Sequence, residues 1–147
     1  MKSLLIYLAS IIGYVACVHA GEVVNIDKNG LALQGYDPVG YFTDGKPVKG
    51  SPEFTASYKG ATYQFGSAEH RDLFQQSPAK YEPQFGGYCA YGVAQKHLSP
   101  VKIDAFQIVN GRLLMQYDSV RDTFNKDQSG NLQAADKNWL ELISTQK

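Results

Sequence analysis

The 147-residue chain is poor in cysteine, in net charge and in long apolar runs. Its two cysteines are Cys17 and Cys89. If the first twenty residues are removed on export, Cys89 has no partner within its own chain, and exported proteins usually pair their thiols. Fourteen basic residues balance fourteen acidic ones. With no basic stripe and no positive excess, nucleic acid is not an expected partner. The longest apolar run, Leu4 to Val18, is too short and interrupted for a comfortable membrane span. There is no Ser-His-Asp pattern, no phosphate-binding loop and no cofactor fingerprint, and no repeat, low-complexity tract or interdomain linker is visible.

What is present begins with a leader. Lys2, the apolar stretch and the small residue closing Val18-His19-Ala20 form the pattern of a secretory signal peptide over residues 1–20. Gly21 is then the first mature residue, and loss of Lys2 leaves a formal charge of −1. The competing pattern is Tyr14-Val15-Ala16-Cys17, a lipoprotein site with Cys17 acylated, for which Tyr14 is bulky. Either route places the protein outside the cytoplasm, in a periplasm or secreted. Residues 21–147 suffice for one domain with its own core.

Glu22 to Ile26 is a candidate lead-in strand, Gly35 to Val39 a turn set by Asp37 and Pro38, and Tyr41-Phe42 a short extended piece. Phe54–Tyr58 and Ala61–Phe65 read as a hairpin around Lys59-Gly60. Ser67 caps a helix over Ala68–Gln76, ended by Pro78, with one further turn at Ala79–Tyr81. Gly86-Gly87 breaks the chain, and a helix is predicted over Tyr88–Gln95. Phe106–Val109 and Leu113–Tyr117 flank Asn110-Gly111, a strong hairpin signal. A helix follows to about Asn125, and Asn131 is predicted to open the last one, with Leu132, Ala135, Trp139, Leu142 and Ile143 on one face. The expected fold is a small single α+β domain, hairpins packed against short helices.

Three stretches carry a family resemblance: Gly35-Tyr36-Asp37-Pro38-Val39-Gly40-Tyr41-Phe42; Tyr58 to Ser67 running on through Phe74, Pro78 and Tyr81; and Pro83 to Gly92, PQFGGYCAYG. In order and spacing they resemble the exported branch of the YHS-domain family, over nearly all of residues 21–147. Short YHS modules, such as those attached to copper-transporting ATPases, are associated with metal binding, and the resemblance implies a metal here. The ligands do not carry over intact. Where those modules look like Asp-Pro-Val-Cys, this chain has Gly40; where they have Tyr-His-Ser, it has Tyr58-Lys59-Gly60. Their Phe-Cys-Ser-x-x-Cys corresponds to Phe65-Gly66-Ser67-Ala68-Glu69-His70, so His70 alone is a soft ligand in place.

The metal candidates are Cys89, His70 and His97. Cys89 falls in the first turn of the predicted helix 88–95, where free N–H groups favour the thiolate, the form that ligates or attacks. Its bland alternative is a small hydrophobe packed against Tyr88 and Tyr91. For His70 the alternative is a surface histidine, and for His97 a helix C-terminal cap. Cys89 and His97 lie about 12 Å apart along a continuous helix, so they share a metal only if the chain bends between them. Met115 is expected in the core. Tyr36, Asp37, Tyr88 and Tyr91 are candidates for a small-ligand pocket.

The leading expectation is an exported, non-catalytic protein binding copper, or else zinc, as a chaperone, buffer or sensor with Cys89 as anchor. The alternative is a small-molecule or protein-binding module with Cys89 as packing; a third is a thiol enzyme with Cys89 as nucleophile. An unpaired thiol also permits a disulfide dimer.

Overall fold

A computed structural model describes residues 23–146, so the predicted leader, with Cys17, lies outside the described residues. The fold is α+β, with two separate two-stranded antiparallel sheets and short helices. In chain order the helices and strands are α1 (Gly40–Thr43), β1 (Ser51–Tyr58), β2 (Ala61–Phe65), α2 (Ala68–Gln76), α3 (Pro78–Tyr81), α4 (Ala90–Ala94), β3 (Lys102–Val109), β4 (Arg112–Gln116), α5 (Asp118–Asn125) and α6 (Gln128–Ser144). Among the described residues no helix is long and apolar enough to cross a membrane.

Both predicted hairpins form. Lys59-Gly60 and Asn110-Gly111 all have positive φ, as a two-residue hairpin turn requires. Ser67 caps α2, its hydroxyl accepting the His70 N–H at 3.1 Å. Other expectations change. The lead-in strand reduces to one bridge between Ile26 and Ala32. Tyr41-Phe42 is helical: Asp37 takes the first N–H groups of a turn, and Phe42 and Thr43 donate back to Val39 O at 3.0 Å each. The helix predicted over 88–95 covers only Ala90–Ala94, with Cys89 at its cap in extended geometry. The last helix starts at Gln128, because Asp127 accepts the Gly130 N–H at 3.1 Å; Asn131 lies inside it and donates its amide to Phe124 O.

A repeat hidden in the sequence emerges from the backbone. Each half opens on three successive left-handed residues, Leu33-Gln34-Gly35 (φ 52°, 54°, 84°) and Phe85-Gly86-Gly87 (φ 55°, 60°, 81°), each followed by a tyrosine. A short helix follows, α1 or α4, then a hairpin of eight and five residues around a two-residue turn, then a helix, α2 or α5. Both hairpins are irregular near the start of their long strand, after Ser51 and after Lys102. Supporting contacts recur too. Leu31 bridges Thr62 in parallel as Pro83 bridges Leu113. Asp37 N–H donates to Val48 O at 2.8 Å as Cys89 N–H donates to Ser99 O at 3.2 Å. Few side chains are shared (Gly35 and Gly87, Tyr36 and Tyr88, Gly40 and Gly92, Gly60 and Gly111), which is why no period shows in the sequence.

Each half has its own apolar cluster. Val39, Tyr63, Phe65, Phe74 and Tyr81 centre the first. Phe85, Val93, Leu114, Phe124 and Leu132 centre the second, which α6 covers. Between them a third cluster joins Leu33 and Tyr41 of the first half to Cys89, Val101, Leu113 and Met115 of the second. The last helix is fixed by polar contacts as well. Asn138 donates to the carbonyls of Val93 and Ala94 at 3.1 and 3.0 Å, satisfying the end of α4. Arg112 forms a two-pronged pair with Asp136 and also donates to Gln84 at 2.9 Å.

Candidate functional site

The polar centre of the first half is Asp37, whose side chain is fully buried. Its Oδ1 accepts the N–H groups of Val39 (2.8 Å) and Gly40 (3.3 Å), the turn chemistry expected of Asp before Pro. Its Oδ2 accepts the Gly66 N–H at 2.9 Å and meets His70 Nδ1 at 2.5 Å. Three backbone donors make Asp37 the acceptor, so Nδ1 carries the proton in the His70 bond. Nε2 is thereby turned outward, 3.3 Å from Thr43 Oγ1, which lies 2.8 Å from Asp44 Oδ1. His70 is half-buried, its side chain 17% exposed, and is no free surface histidine. The turn, α1 and the start of α2 thus converge on one imidazole with a carboxylate behind it. That arrangement fixes a histidine's tautomer and ring orientation, as the partners of metal-ligating histidines do.

The second polar centre is Cys89, in the seam cluster and 3% exposed. Its thiol donates to Gln116 Oε1 at 3.8 Å, and the same oxygen takes the Tyr91 N–H at 3.4 Å. The Tyr91 donor fixes which way the amide points, and among the described residues its Nε2 has no hydrogen-bond partner in a fully buried side chain. An orphan of this kind costs about 1–3 kcal/mol. Beside it lies a shallow apolar cleft of about 290 Å³, lined by Cys89, Tyr91, His97, Ser99, Tyr117 and Val120 among others. The chain does bend between Cys89 and His97: Lys96 has φ 64°, and His97 N–H returns to Gly92 O at 2.8 Å. His97 is exposed at the rim of the cleft.

The three metal candidates therefore do not converge. His70 belongs to Asp37 in the first half, while Cys89 and His97 share the cleft in the second. Among the described residues no group of three or more His, Cys, Asp or Glu side chains could hold a metal ion. A closed, resident four-ligand centre does not fit these residues; a single oriented imidazole is what they offer. The pocket expected between Asp37, Tyr88 and Tyr91 does not form, because Asp37 is sealed in its turn. Tyr36 and Tyr91 pack beside Cys89, whereas Tyr88 packs on the second half's core. Met115 is fully buried, as expected. A disulfide dimer through Cys89 would require the thiol to leave the core.

Two participants escaped the sequence reading. Gln116 carries one signal, an amide ending the apolar run Leu113-Leu114-Met115. Thr43 carries none, since its role depends on α1 bringing it to His70.

Burial acts strongly on two tyrosines. Tyr41, whose hydroxyl donates to Ile103 O at 2.8 Å, and Tyr63 both have their hydroxyl pKa pushed well above the ordinary value, chiefly by burial and secondarily by neighbouring acidic groups.

Residues 39–85 match the YHS domain family. The matched stretch covers the first of the two repeats from α1 onward and ends where the second begins. The YHS segment contains His70, while Asp37 lies just before it and Cys89 just after. No curated protein and no solved structure matches the chain.

Proposed function

We propose that the chain is an exported YHS-domain protein that takes up a soft metal ion as cargo, copper ahead of zinc, with His70 as its docking ligand. One observation carries this reading: the buried Asp37 carboxylate holds His70 Nδ1 and leaves Nε2 beside the Thr43 hydroxyl at the rim, within the stretch that matches the YHS domain. With no second strong protein ligand beside it among the described residues, the remaining coordination would come from water or from the protein giving or receiving the ion. Such a site suits a carrier or buffer better than a permanent store. Thr43 and Asp44 supply oxygen donors at the rim, which a soft ion uses weakly.

The experiment is competition with a chelator for Cu(I), Cu(II) and Zn(II) on residues 21–147, beside His70→Ala and Cys89→Ala. Binding lost in His70→Ala and kept in Cys89→Ala is expected. Binding no tighter than about micromolar, roughly −8 kcal/mol, or binding indifferent to His70, would overturn the reading.

A second reading rests on the cleft beside Cys89. Its aromatic walls, Tyr91 and Tyr117, suit a small apolar ligand or a partner's side chain, with the thiol as packing at the floor. Protection of the Tyr91 and Tyr117 ring signals by an added ligand, with His70 unaffected, is the corresponding test.

A further inference from the structure

A cavity of about 280 Å³ lies on the seam between the two halves, and neither His70 nor Cys89 lines it. The first half contributes Lys59, Tyr63 and Glu82, the second Phe85 and Arg112, and α6 closes it with Asp136 and Trp139. At that size it takes about one ring with its substituents. Its charges cancel: Lys59 meets Glu82 at 3.2 Å and Arg112 meets Asp136 at 2.6 Å. An ionic ligand of either sign would have to split one of these pairs, so the cavity suits an uncharged one. Hydrogen-bonding capacity remains. Tyr63 is 2% exposed, and among the described residues its hydroxyl makes no hydrogen bond. Burial first, and Glu82 on the same wall second, hold the proton on that hydroxyl, so it is a donor. Gln84 also lines the cavity, and its Oε1 is committed to Arg112 Nε at 2.9 Å, which leaves both N–H groups of Nε2 to give. The carboxylates of Glu82 and Asp136 have lone pairs beyond their ion pairs. The rest of the wall is apolar: half-buried Trp139 beside Phe85, ring centres 6.1 Å apart, with Val24 and Ile143.

An uncharged aromatic compound would fill the apolar part and leave most of these polar groups dehydrated without partners, at about 1–3 kcal/mol each. A sugar ring carries several hydroxyls, each both donor and acceptor, around apolar C–H faces that pack on aromatic side chains. It answers both kinds of wall and brings no net charge. We propose that this cavity is a carbohydrate site for a single sugar residue, with Tyr63 and Gln84 donating to its oxygens and Trp139 covering an apolar face. Glu82 and Asp136 accept from its hydroxyls while keeping Lys59 and Arg112 as partners. A free monosaccharide and the end of a glycan chain share this chemistry. The site is separate from His70 and its metal.

Trp139 is the chain's one tryptophan, so its fluorescence reports on this cavity. The test titrates residues 21–147 with glucose, galactose, mannose and N-acetylglucosamine, with a disaccharide of each, and with phenol as the uncharged aromatic control. At least one sugar is expected to shift the Trp139 emission saturably, with a Kd of about 1 mM or tighter. Tyr63→Phe and Gln84→Ala should each weaken that binding several-fold, and His70→Ala should leave it unchanged. Tyr63→Phe removes only an oxygen that has no partner among the described residues, so the fold survives it. A disaccharide that binds more tightly than its monosaccharide assigns the site to glycan ends, and equal binding assigns it to the free sugar. Three results would overturn the proposal: no saturable shift with any of these sugars up to about 20 mM, a response to phenol with none to the sugars, or sugar binding as tight in Tyr63→Phe and Gln84→Ala as in wild type.

Discussion

Asp37→Asn keeps the shape of the first half's central side chain and removes only its charge and one acceptor. Oδ1 can still receive the N–H groups of Val39 and Gly40. The new NH₂ would instead face the Gly66 N–H, donor against donor, and would force His70 to accept at Nδ1 and carry its proton on Nε2. A hydrogen bond to a charged group contributes about 1.5–3 kcal/mol, so losing the Gly66 bond and weakening the others should cost about 2–4 kcal/mol. For a domain of this size that is a fall in Tm on the order of 10 °C. His70→Ala leaves all three backbone donors satisfied and should cost only about 1–2 kcal/mol. Because the two side chains touch, the double mutant should be less damaging than the sum, with a coupling of about 1 kcal/mol or more. Urea unfolding read by circular dichroism and by Trp139 fluorescence gives these values, and an unchanged m-value shows that stability alone has moved. An Asp37→Asn variant within about 0.5 kcal/mol of wild type would refute the reasoning, since the carboxylate would then be a replaceable turn residue.

Further predictions concern other parts of the fold. Tyr41 and Tyr63 keep their protons in the folded state at a pH where the unfolded chain loses them near 10; the unfolded state then binds fewer protons, and stability falls as pH rises from about 10 toward the raised folded values. The slope should approach about 2.7 kcal/mol per pH unit and shrink by about half in Tyr63→Phe, as read by urea unfolding at alkaline pH. Gly86→Ala puts a Cβ onto the Val23 carbonyl at φ 60°, at the residue whose carbonyl accepts the Asn25 N–H; a loss of about 2 kcal/mol or more is expected by the same assay. Asn138→Ala strips two carbonyls of α4 of their buried donor and should cost about 2–3 kcal/mol, exposing the amides of α4 and α6 to hydrogen exchange.

Sequence alone determined the local structure wherever a residue's own chemistry settles its backbone. Asn110-Gly111 and Lys59-Gly60 made their hairpins, Ser67 capped its helix and Pro78 ended it, because turn geometry and capping act over a few residues. The α+β class followed from those elements, and His70 stood out as the soft ligand left in place. What only the tertiary structure decided was partnership. His70 finds Asp37 across 33 residues, and Gln116 finds Cys89 across 27, through contacts that no local spacing encodes. The expected Cys89–His70–His97 cluster failed for the same reason: the two repeats give each half its own centre, so residues of like chemistry were divided between them. The repeat itself was invisible in the sequence because it lies in backbone angles and hydrogen bonds, which very different side chains can share, and folding alone brings those backbones into register.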